Sequence, residues 1–230
     1  MHAKEKVAVL SSLALIALLS FTTTSYAASA LPAQWSAYGQ NTLPNGHLNF
    51  HPFDHGTTFA FPDATSSSPA YVNYLLGEYT ASLTESNTIS ATFTITTSLP
   101  TTSFLGNPDG GNPAISFVRL FIQANLPEDG SASCVGGHKN VNNYWWADVS
   151  AYTFAPGSAT VTMTVNLNNV NWSGICGNPA SSNPAGFDLA LANIKYVGIS
   201  FGSGYFFSNG LGVDGTTGTA TFTLTSFAIS

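Results

Sequence analysis

Charge is scarce in this chain. Five Lys and Arg and eleven Asp and Glu together make up 7% of its 230 residues. Two of the cations, Lys4 and Lys6, stand at the N-terminus, and only Arg119, Lys139 and Lys195 follow. Nucleic-acid binding draws on many phosphate contacts, and three dispersed cations offer no such footprint. The same shortage disfavours an anionic membrane surface or an anionic polysaccharide. Solubility must come mainly from Ser, Thr and Asn, a surface able to hydrogen-bond neutral polyols.

Catalytic motifs are missing too. There is no Gly-x-Ser-x-Gly elbow, which leaves an α/β-hydrolase unsupported. Glycoside hydrolysis needs two carboxylates about 5–10 Å apart, and no local motif marks a pair among Glu78, Glu85, Glu128 and the aspartates. Asn107-Pro108-Asp109-Gly110 and Pro127-Glu128-Asp129-Gly130 lack the ligand spacing of the known calcium loop and read as turns. Structural calcium held by some other loop stays open. Cysteine is limited to Cys134 and Cys176. An isolated pair in an oxidising compartment usually bonds, and closing such a loop stabilises a fold by roughly 4 kcal/mol in the chain-entropy model.

No apolar run reaches the roughly 20 residues of a spanning helix. The longest, Val7 to Phe21, is broken by serines, preceded by Lys4 and Lys6, and followed by small residues. That order is a secretory signal peptide over residues 1–30, cleaved after Ala27 or Ala30. The expected localisation is secreted or periplasmic. Asn171-Trp172-Ser173 matches a glycosylation sequon, relevant in a eukaryotic host.

What the chain does have is alternation. In Thr88 to Thr96, Ile89, Ala91, Phe93 and Ile95 point one way and the threonines and Ser90 the other. Thr160 to Leu167 and Ala220 to Leu224 repeat the scheme. An antiparallel sheet with one wet face produces this pattern. Further strands are predicted at Tyr71 to Leu75, Ser116 to Ala124, Tyr144 to Ser150 and Lys195 to Phe201, separated by Gly, Pro, Asn and Asp clusters. One short helix is predicted over 184–192, capped by Asn183 and opened by Pro184, with Phe187 and Leu191 on one face. The fold class is therefore all-β: a two-sheet antiparallel β-sandwich of jelly-roll topology. Residues 71–230 form the sandwich, and 31–70 an N-terminal segment packing on it.

Val118-Arg119-Leu120-Phe121-Ile122-Gln123, then Tyr144-Trp145-Trp146, then Ile199 to Gly204 with Phe206-Phe207, closing on Ala220 to Phe227, resembles a group of secreted jelly-roll proteins. These are galactose-binding-domain-like β-sandwiches, the architecture of many carbohydrate-binding modules. The resemblance covers roughly Tyr71 to Ser230 and implies a sandwich fold more directly than a function.

The strand Ser116 to Ala124 is the most informative. One face carries Val118, Leu120 and Ile122; the other carries Phe117, Arg119, Phe121 and Gln123. Folding does not require two rings, a guanidinium and an amide there, whereas sugar recognition uses rings to stack and polar groups to bond hydroxyls. The alternative is a covered face with Arg119 paired to an acid such as Asp148. Of Trp145 and Trp146, adjacent on a strand, one must face away from the core. Trp146, with Asp148 on the same face, is the candidate platform.

A second constellation is His47, His51 and His55 with Asp54, ligand types that suit zinc or copper, although their spacing matches no established zinc signature. No cofactor is otherwise expected. The leading expectation is a non-catalytic module that binds neutral glycan on a concave sheet face through Arg119, Gln123, Trp146, Asp148, Phe117 and Phe121. The alternatives are a metal-dependent secreted enzyme using His47, His51 and His55, or a structural or adhesive protein of the surface or matrix.

Overall fold

The computed structural model describes residues 34–42, 48–108, 116–135, 139–203 and 209–230. The segment expected to be a signal peptide, His47 and Phe206-Phe207 lie outside them. Among the described residues no helix is long and apolar enough to cross a membrane.

Among the described residues, fourteen strands form two sheets, accompanied by one α-helix. In chain order the strands are β1 (Trp35–Thr42), β2 (Leu48–His55), β3 (Thr58–Ala60), β4 (Ala70–Glu78), β5 (Thr88–Thr97), β6 (Phe104–Gly106) and β7 (Ser116–Ala124). They continue with β8 (Tyr144–Ala147), β9 (Tyr152–Thr153), β10 (Ala159–Asn166), β11 (Trp172–Gly174), β12 (Ile194–Ser203), β13 (Leu211–Val213) and β14 (Ala220–Ile229). The large sheet runs β11-β8-β7-β12-β4-β1-β2, with β13, β6 and β9 attached to its flanks, and the small sheet runs β10-β5-β14-β3. All pairings between these strands are antiparallel. The long strands β4, β5, β7, β10, β12 and β14 alternate between the sheets, the connectivity of a jelly roll. Residues 34–60 supply strands to both sheets.

One core lies between the sheets. Ile89, Phe93 and Ile95 of β5, Met163 and Val165 of β10, and Phe222 of β14 meet Leu75 of β4, Leu120 and Ile122 of β7, and Val197, Ile199 and Phe201 of β12. Phe201 packs edge-on against Phe222 with ring centres 5.3 Å apart. The outer face of the small sheet is the wet one. Its hydroxyls pair across strands, Ser90 with Thr164 and Thr92 with Thr162 at 2.9 Å each.

The helix α1 (Pro184–Ala192) forms as its sequence directs. The Asn183 side chain accepts the Gly186 N–H at 3.1 Å, and Phe187 and Leu191 are buried in the core. Cys134 and Cys176 form a disulfide with Cα atoms 5.6 Å apart. It ties the long β7–β8 connection to the residues just after β11.

Candidate functional site

The large sheet differs from the small one in that both of its faces carry rings. On β7, Leu120 and Ile122 enter the main core, while Phe121 joins Leu76 of β4 and Trp146 of β8 in a second cluster on the outer face. Trp145 lies in the main core, so the neighbouring tryptophans do face opposite ways. Tyr38, Tyr74, Tyr144 and Tyr196 pack around this second cluster. Tyr74 lies 4.9 Å from the Phe121 ring. Tyr144 stacks on Trp146 at 6.5 Å and 19°.

These tyrosines line a groove of about 600 Å³ together with Gln40, Asn73, Leu76, Gln123, Lys139 and Lys195. Two irregularities in the strands build it. On β4 the pairing to β1 jumps from Tyr74 to Val72, which leaves Asn73 as an extra residue. Val72 and Leu75 can then both enter the core, and Tyr74 and Leu76 both face the groove. On β12 the pairing to β7 jumps from Ile194–Ala124 to Tyr196–Gln123. Lys195 is the extra residue there, and Lys195 and Tyr196 stand together opposite Gln123, both lining the groove.

Polar groups in the groove are held from behind. The Gln40 amide donates to the Asn209 carbonyl at 2.7 Å, and the Asn209 amide donates to the Asn107 carbonyl at 2.8 Å. Lys139 sits on a loop fixed by the disulfide and by amide side chains. Asn140 donates to the Pro127 carbonyl and to Asp129, each at 3.0 Å. Asn143 accepts the Leu126 N–H at 2.8 Å and donates to the Leu126 carbonyl at 2.9 Å. The Lys139 ammonium lies 5.4 Å from the Tyr144 ring centre and the Lys195 ammonium 5.1 Å from that of Tyr196, both within cation–π reach. Burial raises the Tyr38 phenol above its ordinary value, with Tyr196 and Glu78 adding and Lys195 opposing. Burial also raises Tyr144, with Glu128 adding. Both phenols stay protonated and can donate at neutral pH.

The residues singled out from sequence divide. Phe117, Phe121 and Trp146 are only 7%, 1% and 5% exposed, which corrects the expectation that they present open faces to a sugar. The tyrosines pack over Phe121 and Trp146, which lie beneath the groove and not among its lining residues, and the Arg119 guanidinium lies 4.9 Å over the Phe117 ring. Gln123 lines the groove; Arg119 and Asp148 are not among its lining residues. Arg119 donates to the Ala147 carbonyl at 2.7 Å. Burial lowers its pKa, and Asp148 pulls it back up. Asp148 is exposed and accepts the Ser173 hydroxyl.

Of the histidine constellation, the Asp54 carboxylate accepts the His55 N–H at 2.8 Å, and His55 Nδ1 lies 3.1 Å from the Ser36 hydroxyl. His51 pairs with Gly39 across β1 and β2. No group of three metal-capable side chains gathers among the described residues, and His47 is not one of them.

Fold and groove together define a two-sheet β-sandwich with a tyrosine-lined trough on the outer face of its large sheet. Neither a family model nor a curated relative matches the chain. Among solved structures it is similar to a xylan-binding module, CBM15, at a TM-score of 0.32 and 10% identity, over 82% of this chain and 92% of that one.

Proposed function

We propose that the protein is a secreted, non-catalytic module that holds the neutral backbone of a polysaccharide chain in the groove over β4, β7 and β12. The observation that carries this reading is the composition of the lining. Four tyrosines, three amides and two lysines surround the trough, and no Asp or Glu is among the described residues that line it. Phenol rings stack on the C–H faces of sugars while their hydroxyls and the amides bond sugar hydroxyls. Two-carboxylate hydrolysis has no pair of acids there to use. An extracytoplasmic location is supported by the disulfide and by the basic, apolar, small-residue order of the N-terminus.

The test is calorimetry against a panel of soluble neutral polysaccharides. At least one should bind, and Tyr74→Ala and Tyr196→Ala should each weaken it about ten-fold, equivalent to about 1.4 kcal/mol. Absence of binding to every chain at millimolar protein would sink the proposal. So would affinity that both substitutions leave unchanged.

A further inference from the structure

Total charge and the placement of charge point in different directions here. The chain carries eleven acids against five basic residues, a balance that speaks against acidic ligands. The described residues hold three cations, and Lys139 and Lys195 both line the groove. The third, Arg119, lies on the same outer side of β7 as Phe121. Among the described residues, the groove suited to hold a sugar chain thus also carries two of the three positive charges, with the third on the same face of the sheet.

Neither lysine is loosely placed. Lys195 is the extra residue of the β12 bulge, and its ammonium rests against the Tyr196 ring. Lys139 rests against Tyr144 on a loop clamped by the Cys134–Cys176 bond. Both tyrosines line the same trough. A glycan lying along the groove meets an ammonium at each of these two rings, already partly ordered before the ligand arrives. Two carboxylates act nearby, Glu78 on Tyr38 and Glu128 on Tyr144, and neither lines the groove. They temper the positive field without replacing it.

We infer that the glycan held in this groove carries anionic substituents, carboxylate or sulfate, which Lys139 and Lys195 read while the tyrosines and amides hold the neutral backbone. The inference rests on the groove reading above and adds a substituent class to it. A lysine is a point charge with no fixed fork, so it accepts either anion. Exposed ion pairs are individually weak, and two of them correspond to a preference of about five- to ten-fold.

The experiment compares three soluble chains built on one neutral backbone: unsubstituted, uronate-bearing and sulfated. At low salt at least one acidic chain should bind about five- to ten-fold more tightly than the unsubstituted one. High salt should erase that ratio by screening. Lys139→Gln with Lys195→Gln should bring the ratio to about one, whatever it does to the neutral affinity, and Lys139→Arg with Lys195→Arg should keep it. Preference for the uronate chain, the sulfated chain or both identifies the anion and supports the inference. Equal or weaker binding of both acidic chains, with the neutral chain still bound, overturns the inference and leaves the groove reading standing. So does a preference that survives the double glutamine variant. Failure of all three chains to bind overturns both. Circular dichroism and melting of the variants confirm that exposed lysines were replaced without loss of fold.

Discussion

Phe121 and Trp146 show how a ring on the ligand side of a sheet can serve the site without touching a ligand. Each belongs to the groove face, yet each is covered by tyrosines that reach further out. Their ring centres are 5.2 Å apart, which makes them a hydrophobic base on which Tyr74 and Tyr144 rest. Truncating a buried ring removes its transfer free energy and leaves a cavity, together about 3–5 kcal/mol. Phe121→Ala and Trp146→Ala should therefore lower the chemical-denaturation midpoint strongly, while Tyr196→Ala, on a partly exposed ring, should cost far less stability and more affinity. If Trp146→Ala melts like the unsubstituted protein and loses only glycan affinity, the ring is a platform after all.

At the scale of elements, the strands themselves were legible, the bulged β4 and β12 included, and the facing of side chains around a bulge was not. The alternation in β5, in β10 and in the part of β14 ahead of its own bulge at Thr225 places Ile89, Phe93, Met163 and Phe222 in the core as expected, because a two-residue period has only one register with the apolar side inward. The helix start at Asn183 and Pro184 was legible for a local reason, since capping needs no tertiary partner. Tyr74, Lys195 and Tyr196 escaped because one extra residue shifts every later side chain to the other face. The trace they leave is a spacing of three between core residues, Val72 to Leu75 and Ile194 to Val197, where a plain strand would give two or four. Lys139 left no trace. Its place depends on a loop that Asn140 and Asn143 fold back onto Leu126 and Pro127, and spacing does not announce such pairings.

That loop should also respond to acid. The Asp129 carboxyl is held below its ordinary value, first by the Ser131 hydroxyl at 2.6 Å and then by the Ser131 N–H at 2.9 Å. A carboxyl whose folded pKa is depressed contributes stability that is complete above its unfolded pKa and lost as pH falls through the lower folded value. The loss thus begins near pH 4, around the ordinary carboxylate range, and completes below it. The expected observation is a melting-temperature gap between the native protein and Asp129→Asn at pH 6 that closes as pH drops below about 4. A gap that stays constant to pH 2 would remove Asp129 from the account.

For the whole molecule, the disulfide joins two things that could have been separate, the stability of the sandwich and the shape of its groove. Its ends are 42 residues apart in sequence, and in the chain-entropy model a loop of that length stabilises the fold by roughly 4 kcal/mol. The main core, drawn from both sheets and the helix, does not contain it. A Cys134→Ser, Cys176→Ser protein should therefore still fold, melting roughly 10 °C lower for a domain of this size. Its native contacts would be those of the sandwich, and the described residues between Leu126 and Asn143 would keep their hydrogen bonds but lose the covalent tie to the residues after β11. Lys139 lies on that loop, and Tyr144 begins β8 directly after it, so a freed loop must spend binding energy on ordering both. Glycan affinity per folded molecule should fall several-fold, measured well below the lowered melting point to keep unfolding out of the comparison. Unchanged affinity with the expected loss of melting temperature would show that the bond acts on the unfolded chain alone, and that the hydrogen bonds of Asn140 and Asn143 suffice to hold the groove wall.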